Sequence, residues 1–288
     1  NWIEGLNWDW SISRQRHFGV PIPVWYDADS NVYYADETQL PVDPIKDRPL
    51  SAPEGVELFP EKDVFDTWFT SSSTPFLARE LVRGTKAYDN LFPMNLRPQA
   101  HDIINFWLFY TMAKTQMIHE TNPWSHVTIS GFVLDPKGNK MSKSKGNVIA
   151  PQEVIEKYSA DAIRYWAATS KLGDDLPYQE KDVKTGMKFA NKLWNASRFI
   201  EQQLEGYTPN SDHVTQAWDA WLLSKLHETI KQATVSFDKF EYSQAKRAID
   251  AFFFHTFCDN YLEIVKDRLY NPDIRGDDAK RSAQYALY

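Results

Sequence analysis

The chain has 288 residues, 42% of them hydrophobic, and a formal net charge of -7. That hydrophobic share supports a sizeable core and excludes a disordered tail, and the length allows one large domain or two ordinary ones. The acidic balance excludes a uniformly basic nucleic-acid coat but leaves room for a local basic patch, while a lone Cys258 excludes an internal disulfide and a Cys-rich zinc site.

One cysteine fits a reducing, cytoplasmic setting, and no apolar run reaches the length of a membrane span. The first residue is Asn1 rather than Met, and the last six, Ala283-Gln284-Tyr285-Ala286-Leu287-Tyr288, read as a helix in progress. The expectation is a piece of a longer protein.

Residues 1–26 are dense in aromatics: Trp2, Trp8, Trp10, Phe18, Trp25 and Tyr26. Ser11-Ile12-Ser13 predicts a short strand. Arg14-Gln15-Arg16 follows, then Gly19 and Pro21-Ile22-Pro23, which impose extended or turning backbone. Residues 27–62 are polar, with prolines at 41, 44, 49, 53 and 60, and predict a surface insertion with a small hairpin around Val32-Tyr33-Tyr34. From Asp63 to Pro75 an aromatic run meets a cluster of hydroxyls. This predicts a strand or short helix ending at a site rim, or simply a helix N-cap region.

From 103 to 118 nearly every helical face is apolar, with Lys114 and Gln116 the main exceptions. A helix apolar all round is a buried one, as in layered α/β packing. His101 and Asp102 fall at its start, beside a strand end, which is the ligand crevice of an open α/β sheet. Taken alone, Asp102 reads first as a helix cap.

Residues 127–134 predict a short buried strand, and Asp135-Pro136-Lys137-Gly138 has turn chemistry. Lys140, Lys143 and Lys145 follow on one loop, Gly146-Asn147 breaks the chain again, and Pro151 opens a helix. Two readings compete for the loop: a solvated basic stretch, or a clamp for phosphate. Helical pieces follow at 152–158 and 160–170, with Ser159 placed to cap the second. Residues 171–177 read as a boundary. Beyond it strand signals vanish, and helical periodicity runs through 179–204, 212–237 and 241–270. Phe189, Leu193, Trp194 and Phe199, then Trp218, Trp221, Leu222 and Leu226, then Phe253, Phe257, Tyr261, Ile264 and Val265, read as bundle core.

Lys140-Met141-Ser142-Lys143-Ser144 is identical to the signature loop of the class I aminoacyl-tRNA synthetases. A given pentamer arises by chance in a chain of this length with a probability on the order of 10^-4. Trp10-Ser11-Ile12-Ser13-Arg14-Gln15-Arg16-His17-Phe18-Gly19 resembles the segment where the valine, isoleucine and leucine enzymes re-enter the catalytic fold after their editing insertion, although a cysteine often stands in place of Ser11. Asp66-Thr67-Trp68 resembles the valine branch, since the isoleucine enzymes usually carry Trp-Phe-Asp-Ser-Gly there. Residues 189–199 resemble the first helix of the family's anticodon-binding bundle.

The resemblance implies an α/β chain: part of a Rossmann-like parallel-sheet nucleotide-binding domain over 1–172, with the insertion at about 27–62, then a truncated α-helical anticodon-binding bundle over 173–288. It implies ATP-dependent activation of valine, with Mg2+, and transfer to tRNA(Val). Lys140 and Lys143 would be the catalytic charges. Met141, Ser142, Ser144, Asp102 and Gly131 would join them in binding ATP, and Trp68 and Ile103 would line the amino-acid pocket. Relatives often carry a cysteine zinc knuckle where this chain has Asp27 and Asp29, so neither zinc nor another resident metal is expected. They also carry glycine where this chain has Ala100, which bears on close backbone approach there. The family's other phosphate signature, of His-Ile-Gly-His type, occurs nowhere in these 288 residues, nor does an editing domain. These residues alone are therefore expected to be inactive. An isoleucine or leucine enzyme and a catalytically inert tRNA-binding module remain the alternatives.

Overall fold

The computed structural model describes residues 4–5 and 9–288, so Trp2 and Trp8 lie outside the described residues. By packing, the chain divides into two compact units, Asn1–Ile129 and Ser130–Tyr288. This division lies upstream of the 172/173 boundary expected from composition, because the helices on either side of residue 172 pack on each other.

The first unit opens with five short strands: β1 (Ser13–Arg14), β2 (Val24–Tyr26), β3 (Val32–Tyr34), β4 (Phe59–Pro60) and β5 (Val64–Phe65). β1 pairs antiparallel with β5, and β2 lies between β3 and β4, antiparallel to both. The expected hairpin is thus present. Its loop is organised by Asp27, whose carboxylate accepts from Asp29 N, Asn31 N, Asn31 Nδ2 and Tyr33 Oη. Trp25 anchors the insertion: its indole is buried and donates to Pro44 O and Asp47 O at 2.9 and 3.1 Å.

Next come α1 (Thr67–Ser71), α2 (Thr74–Glu80) and β6 (Met94–Ala100), then a 3-10 turn, His101–Ile103, and a π-helical turn, Ile104–Leu108, leading into α3 (Phe109–His119) and β7 (Trp124–Ser130). β6 and β7 are neighbours in one sheet. The expectation of one uniform, buried helix over 103–118 needs correcting. The segment has three kinds of turn, and only one side is covered: Thr111 and Thr115 are fully buried, while Met117 is 83% exposed and Ile118 65% exposed. The threonines tolerate burial because each hydroxyl donates one turn back, to Trp107 O and Thr111 O. Lys114 turns inward instead of marking the solvent side. Its Nζ donates to Phe69 O at 2.6 Å and Ser73 Oγ at 3.1 Å and lies 3.7 Å from the Phe69 ring centroid.

The second unit begins with β8 (Val133–Leu134), separated from β7 by Gly131 and Phe132, so the strand expected over 127–134 is broken in two. A Cβ on Gly131 would sit 2.2 Å from Asp174 O, and Phe132 N donates to Asp175 Oδ1 at 2.7 Å. The backbone at 174–175 therefore occupies the space a continuous strand's side chain would need. After α4 (Pro151–Tyr158) and α5 (Ala160–Ala167) comes β9 (Leu176–Pro177), which pairs parallel with β8. Ser159 caps α5 as expected, accepting from Ala162 N.

The helices α6 (Glu180–Gln203), α7 (Ala217–Asp238), α8 (Tyr242–Ala251), α9 (Leu262–Tyr270), α10 (Pro272–Arg275) and α11 (Asp277–Leu287) complete the unit, with a π-helical stretch Phe252–Tyr261 between α8 and α9. α5 and α6 touch closely because Gly186 faces Ala162 O, where a Cβ would come within 2.6 Å. Val154, Tyr158, Ala162, Trp166 and Val183 form the core at this end, and Leu222, Tyr261, Val265, Leu269 and Ala283 are central to the other. Among the described residues no helix is long and apolar enough to cross a membrane.

Candidate functional site

In the second unit the Asp135–Gly138 turn closes with Gly138 N donating to Asp135 O at 2.9 Å, and a bridge pairs Leu134 with Lys140. The pentamer follows at once. Met141 turns inward, its Sδ accepting from Ile149 N at 3.4 Å. Ser142 caps a 3-10 turn, Lys143–Lys145, its Oγ accepting from Lys145 N, and Gly146 ends the turn with φ +66°. Lys140, Lys143, Ser144 and Lys145 are all exposed, and Lys140 Nζ stands 3.8 Å from the Phe132 ring centroid. Three ammonium groups thus crowd one short loop.

The carboxylate at the base of this loop, Asp135, is buried and faces inward. It accepts from Lys137 N and Asn139 N at 2.9 and 2.8 Å and from the amide of Asn147 at 2.9 Å. Backbone donation from Asn139 and then the Asn147 amide hold its pKa down at about 2. Gly131 also belongs to this unit, and the structure gives it a packing reason, the passage of the 174–175 backbone.

The first unit holds the other expected residues. Trp68 lies on α1 and stacks on Phe106, with centroids 5.4 Å apart and planes at 21°. Phe106 in turn meets Trp10 edge-on at 5.0 Å. Ile103 and Asp102 lie in the turn just before the π segment that presents Phe106 to Trp68. Ile103 is half-buried and Asp102 exposed, and the N-cap position of the turn is held by Ala100. α1 is held at both ends. At its start Asp66, buried, pairs with Arg14 at 3.3 Å and accepts from Trp10 Nε1 at 3.3 Å. At its end Lys114 and Trp107 Nε1 donate to Phe69 O and Ser71 O. Burial pushes the Lys114 pKa down.

Sequence reasoning singled out neither Phe106 and Lys114, which pack around α1, nor Asn147, which bonds to the signature loop. The only available signal for Phe106 was an aromatic within an apolar run, four positions after Asp102.

The model of the family "tRNA synthetases class I (I, L, M and V)" matches residues 1–179. The chain belongs to this family. A second model, "Anticodon-binding domain of tRNA ligase", matches residues 219–288 of the same synthetase chain. Among curated relatives, the valine–tRNA ligase of Rickettsia rickettsii (strain Sheila Smith) is 43% identical over 100% of this chain and 38% of its own length. That of Wolbachia pipientis wMel is 45% identical over 99% of this chain and 34% of its own length. The chain therefore spans 38% or less of the length of these two relatives. Two solved synthetases share the fold. The Agrobacterium radiobacter K84 agnB2 LeuRS, solved in a ternary complex with tRNA and LeuAMS, has a TM-score of 0.74 at 20% identity, over 97% of this chain and 38% of that one. The Mycobacterium tuberculosis methionyl-tRNA synthetase, in complex with methionyl-adenylate, has a TM-score of 0.65 at 19% identity, over 100% of this chain and 50% of that one. The expected fold class, a Rossmann-like α/β catalytic part followed by a helical part, is the fold of these enzymes.

Proposed function

We propose that this chain is part of a cytoplasmic valine–tRNA ligase: the later portion of its catalytic domain over 1–172 and the beginning of its anticodon-binding domain over 173–288. Its reaction would be ATP-dependent activation of valine and transfer to tRNA(Val). The observation that carries this reading is the signature loop, with three exposed lysines on a hydrogen-bonded turn, in a chain 43% identical from end to end to valine–tRNA ligases.

A valine carboxylate oxygen forms a bond to the α-phosphorus of ATP, the bond from that phosphorus to the bridging oxygen breaks, and pyrophosphate leaves with its charge. The work left to the protein is positioning and charge stabilisation. Lys140 and Lys143 would neutralise the departing phosphates as point charges on long stems. Met141, Ser142, Ser144 and Gly131 would join them in binding ATP, and Asp102, in the first unit, is a further proposed ATP-binding residue. Mg2+ would supply further charge neutralisation at the phosphates. No three His, Cys, Asp or Glu side chains converge among the described residues, so we draw no protein ligands for it. Trp68, backed by Phe106, and Ile103 would form an apolar pocket for a small branched side chain. Such a pocket separates near-isosteres by only about 1–3 kcal/mol.

The test is amino-acid-dependent ATP–pyrophosphate exchange. The 288 residues alone are expected to give background. Fused behind the upstream portion of the Rickettsia rickettsii valine–tRNA ligase, they are expected to give exchange with valine that Lys143→Ala abolishes. Equal exchange with isoleucine or leucine, or robust exchange from the 288 residues alone, would overturn the reading. A second reading is an inert tRNA-binding module, for which the match of residues 219–288 to an anticodon-binding domain is the support. It would show salt-sensitive tRNA binding that needs residues 178–288 and no exchange in the fusion.

A further inference from the structure

We propose that Asn147 is a positioning residue for the signature loop, a latch that holds in place the backbone carrying Lys140 and Lys143. This rests on the nucleotide reading above. Asn147 stands outside the pentamer, just after Gly146, and is half-buried. Its side-chain amide reaches both ends of the loop. Oδ1 accepts from Ser142 N at 2.9 Å. Nδ2 donates to Asp135 Oδ2 at 2.9 Å and to Lys140 O at 3.3 Å. One acceptor and both donors of the amide are therefore engaged, and its orientation is fixed: a peptide N–H faces Oδ1, while a carboxylate and a carbonyl face Nδ2.

These three bonds fall on the points that set the lysines. Lys140 is gripped at its carbonyl, two residues past the Asp135–Gly138 turn. Ser142 is gripped at its N–H, and Ser142 Oγ caps the turn that carries Lys143 and Lys145. The anchor is Asp135, whose lone pairs go to backbone and amide donors, as its low pKa of about 2 also indicates. An acid at the base of a loop with three lysines would ordinarily neutralise one of them. Here it holds the loop's shape through Asn147 instead. Fixing the backbone in advance lowers the cost of ordering it when phosphate charge develops.

The chemistry at position 147 is restrictive. Leucine has the same outline and makes none of the three bonds. Aspartate keeps the acceptor for Ser142 N but places a second carboxylate against Asp135 and loses both donors. Exchanging the pair, with Asp135→Asn and Asn147→Asp together, restores an amide-to-carboxylate bond between the two positions and keeps the Ser142 acceptor, so that of the three bonds only the longer one, to Lys140 O, is lost.

The experiment is tryptic cleavage after Lys140, Lys143 and Lys145, followed without nucleotide, with helical content and the unfolding midpoint measured in parallel. Asn147→Leu and Asn147→Asp are each expected to speed cleavage about tenfold, because a hydrogen bond to a charged group is lost and cleavage tracks the open population. The exchanged pair is expected to return to within about threefold of the parent chain. Cleavage of both single variants within about twofold of the parent, or an exchanged pair as labile as Asn147→Asp alone, would overturn the latch. If a leucine variant fails to fold, Asn147→Asp and the exchanged pair decide the matter between them. In the fusion enzyme, Asn147→Leu should lower the rate of exchange at saturating ATP by more than it raises the KM for ATP. Cleavage without nucleotide judges the latch by itself. If Mg2+–ATP fails to protect the loop of the fusion enzyme, the nucleotide reading falls and the latch stands.

Discussion

The Asp219 carboxylate receives both terminal nitrogens of the Arg268 guanidinium, at 2.7 and 2.6 Å, with no exposure of the Asp219 side chain. Tyr261 Oη donates to the same carboxylate at 2.7 Å, and Ser282 Oγ donates to it while accepting from Thr215 N and Gln216 N. One ionic centre therefore ties α7, the π stretch, α9 and α11 together. Removing one partner leaves the other buried and uncompensated. Arg268→Ala or Asp219→Ala is expected to cost about 3–5 kcal/mol in urea unfolding of the helical unit. A loss below about 1 kcal/mol would show the pair to be dispensable.

Asp135 gives a pH prediction at the signature loop. Its folded pKa, about 2, lies below the ordinary 3.8. A depressed carboxylate stabilises fully above the unfolded value and loses that contribution as pH falls through the folded one. The loop is therefore expected to keep its protection down to about pH 4 and to lose it between about pH 4 and pH 2. Carbon-13 NMR of the Asp135 carboxyl checks this directly, and a midpoint near the ordinary value would contradict it.

Gly131→Ala should be costly although the residue is not in a left-handed conformation. The new Cβ would meet Asp174 O at 2.2 Å and Asp175 N at 2.6 Å, both backbone atoms that cannot step aside. We expect a loss of about 3 kcal/mol, the upper range for overpacking, together with loss of the β8–β9 pairing. Equilibrium unfolding of the variant, with amide exchange at Leu176 and Tyr178, which donate to Phe132 O and Leu134 O, reads both effects.

Phe106 is expected to act through Trp68. Stacked aromatic pairs contribute about 0.5–1.5 kcal/mol beyond buried area. In the fusion enzyme Phe106→Leu should raise the KM for valine up to about tenfold with kcat within about threefold, since a pocket wall is loosened and the reacting groups are not touched. An equal fall in kcat would instead place Phe106 against the chemistry.

The sequence was informative wherever a signal is local. The 3.6-residue period over 179–204 became α6, Glu180–Gln203, and Ser159 capped α5. Asp135-Pro136-Lys137-Gly138 made the turn its residue types require. The pentamer could be read because its five residues are contiguous. The π turns at Ile104–Leu108 and Phe252–Tyr261 left no mark on an apolar run, because periodicity cannot tell a widened turn from an α-helical one.

Lys114 marks the limit most clearly. Composition alone puts a lysine on the solvent side of a helix, yet its ammonium closes the end of α1 from 45 residues away. The Asp219–Arg268 pair spans 49 residues, and Asp66 reaches Trp10 across 56. By itself, then, the sequence determined α6, the cap of α5, the Asp135–Gly138 turn and the signature pentamer, because those follow from backbone preference and short-range spacing. Tertiary structure alone decided which polar groups turn inward and what they hold, because a buried charge is tolerated only where distant parts of the chain bring it partners.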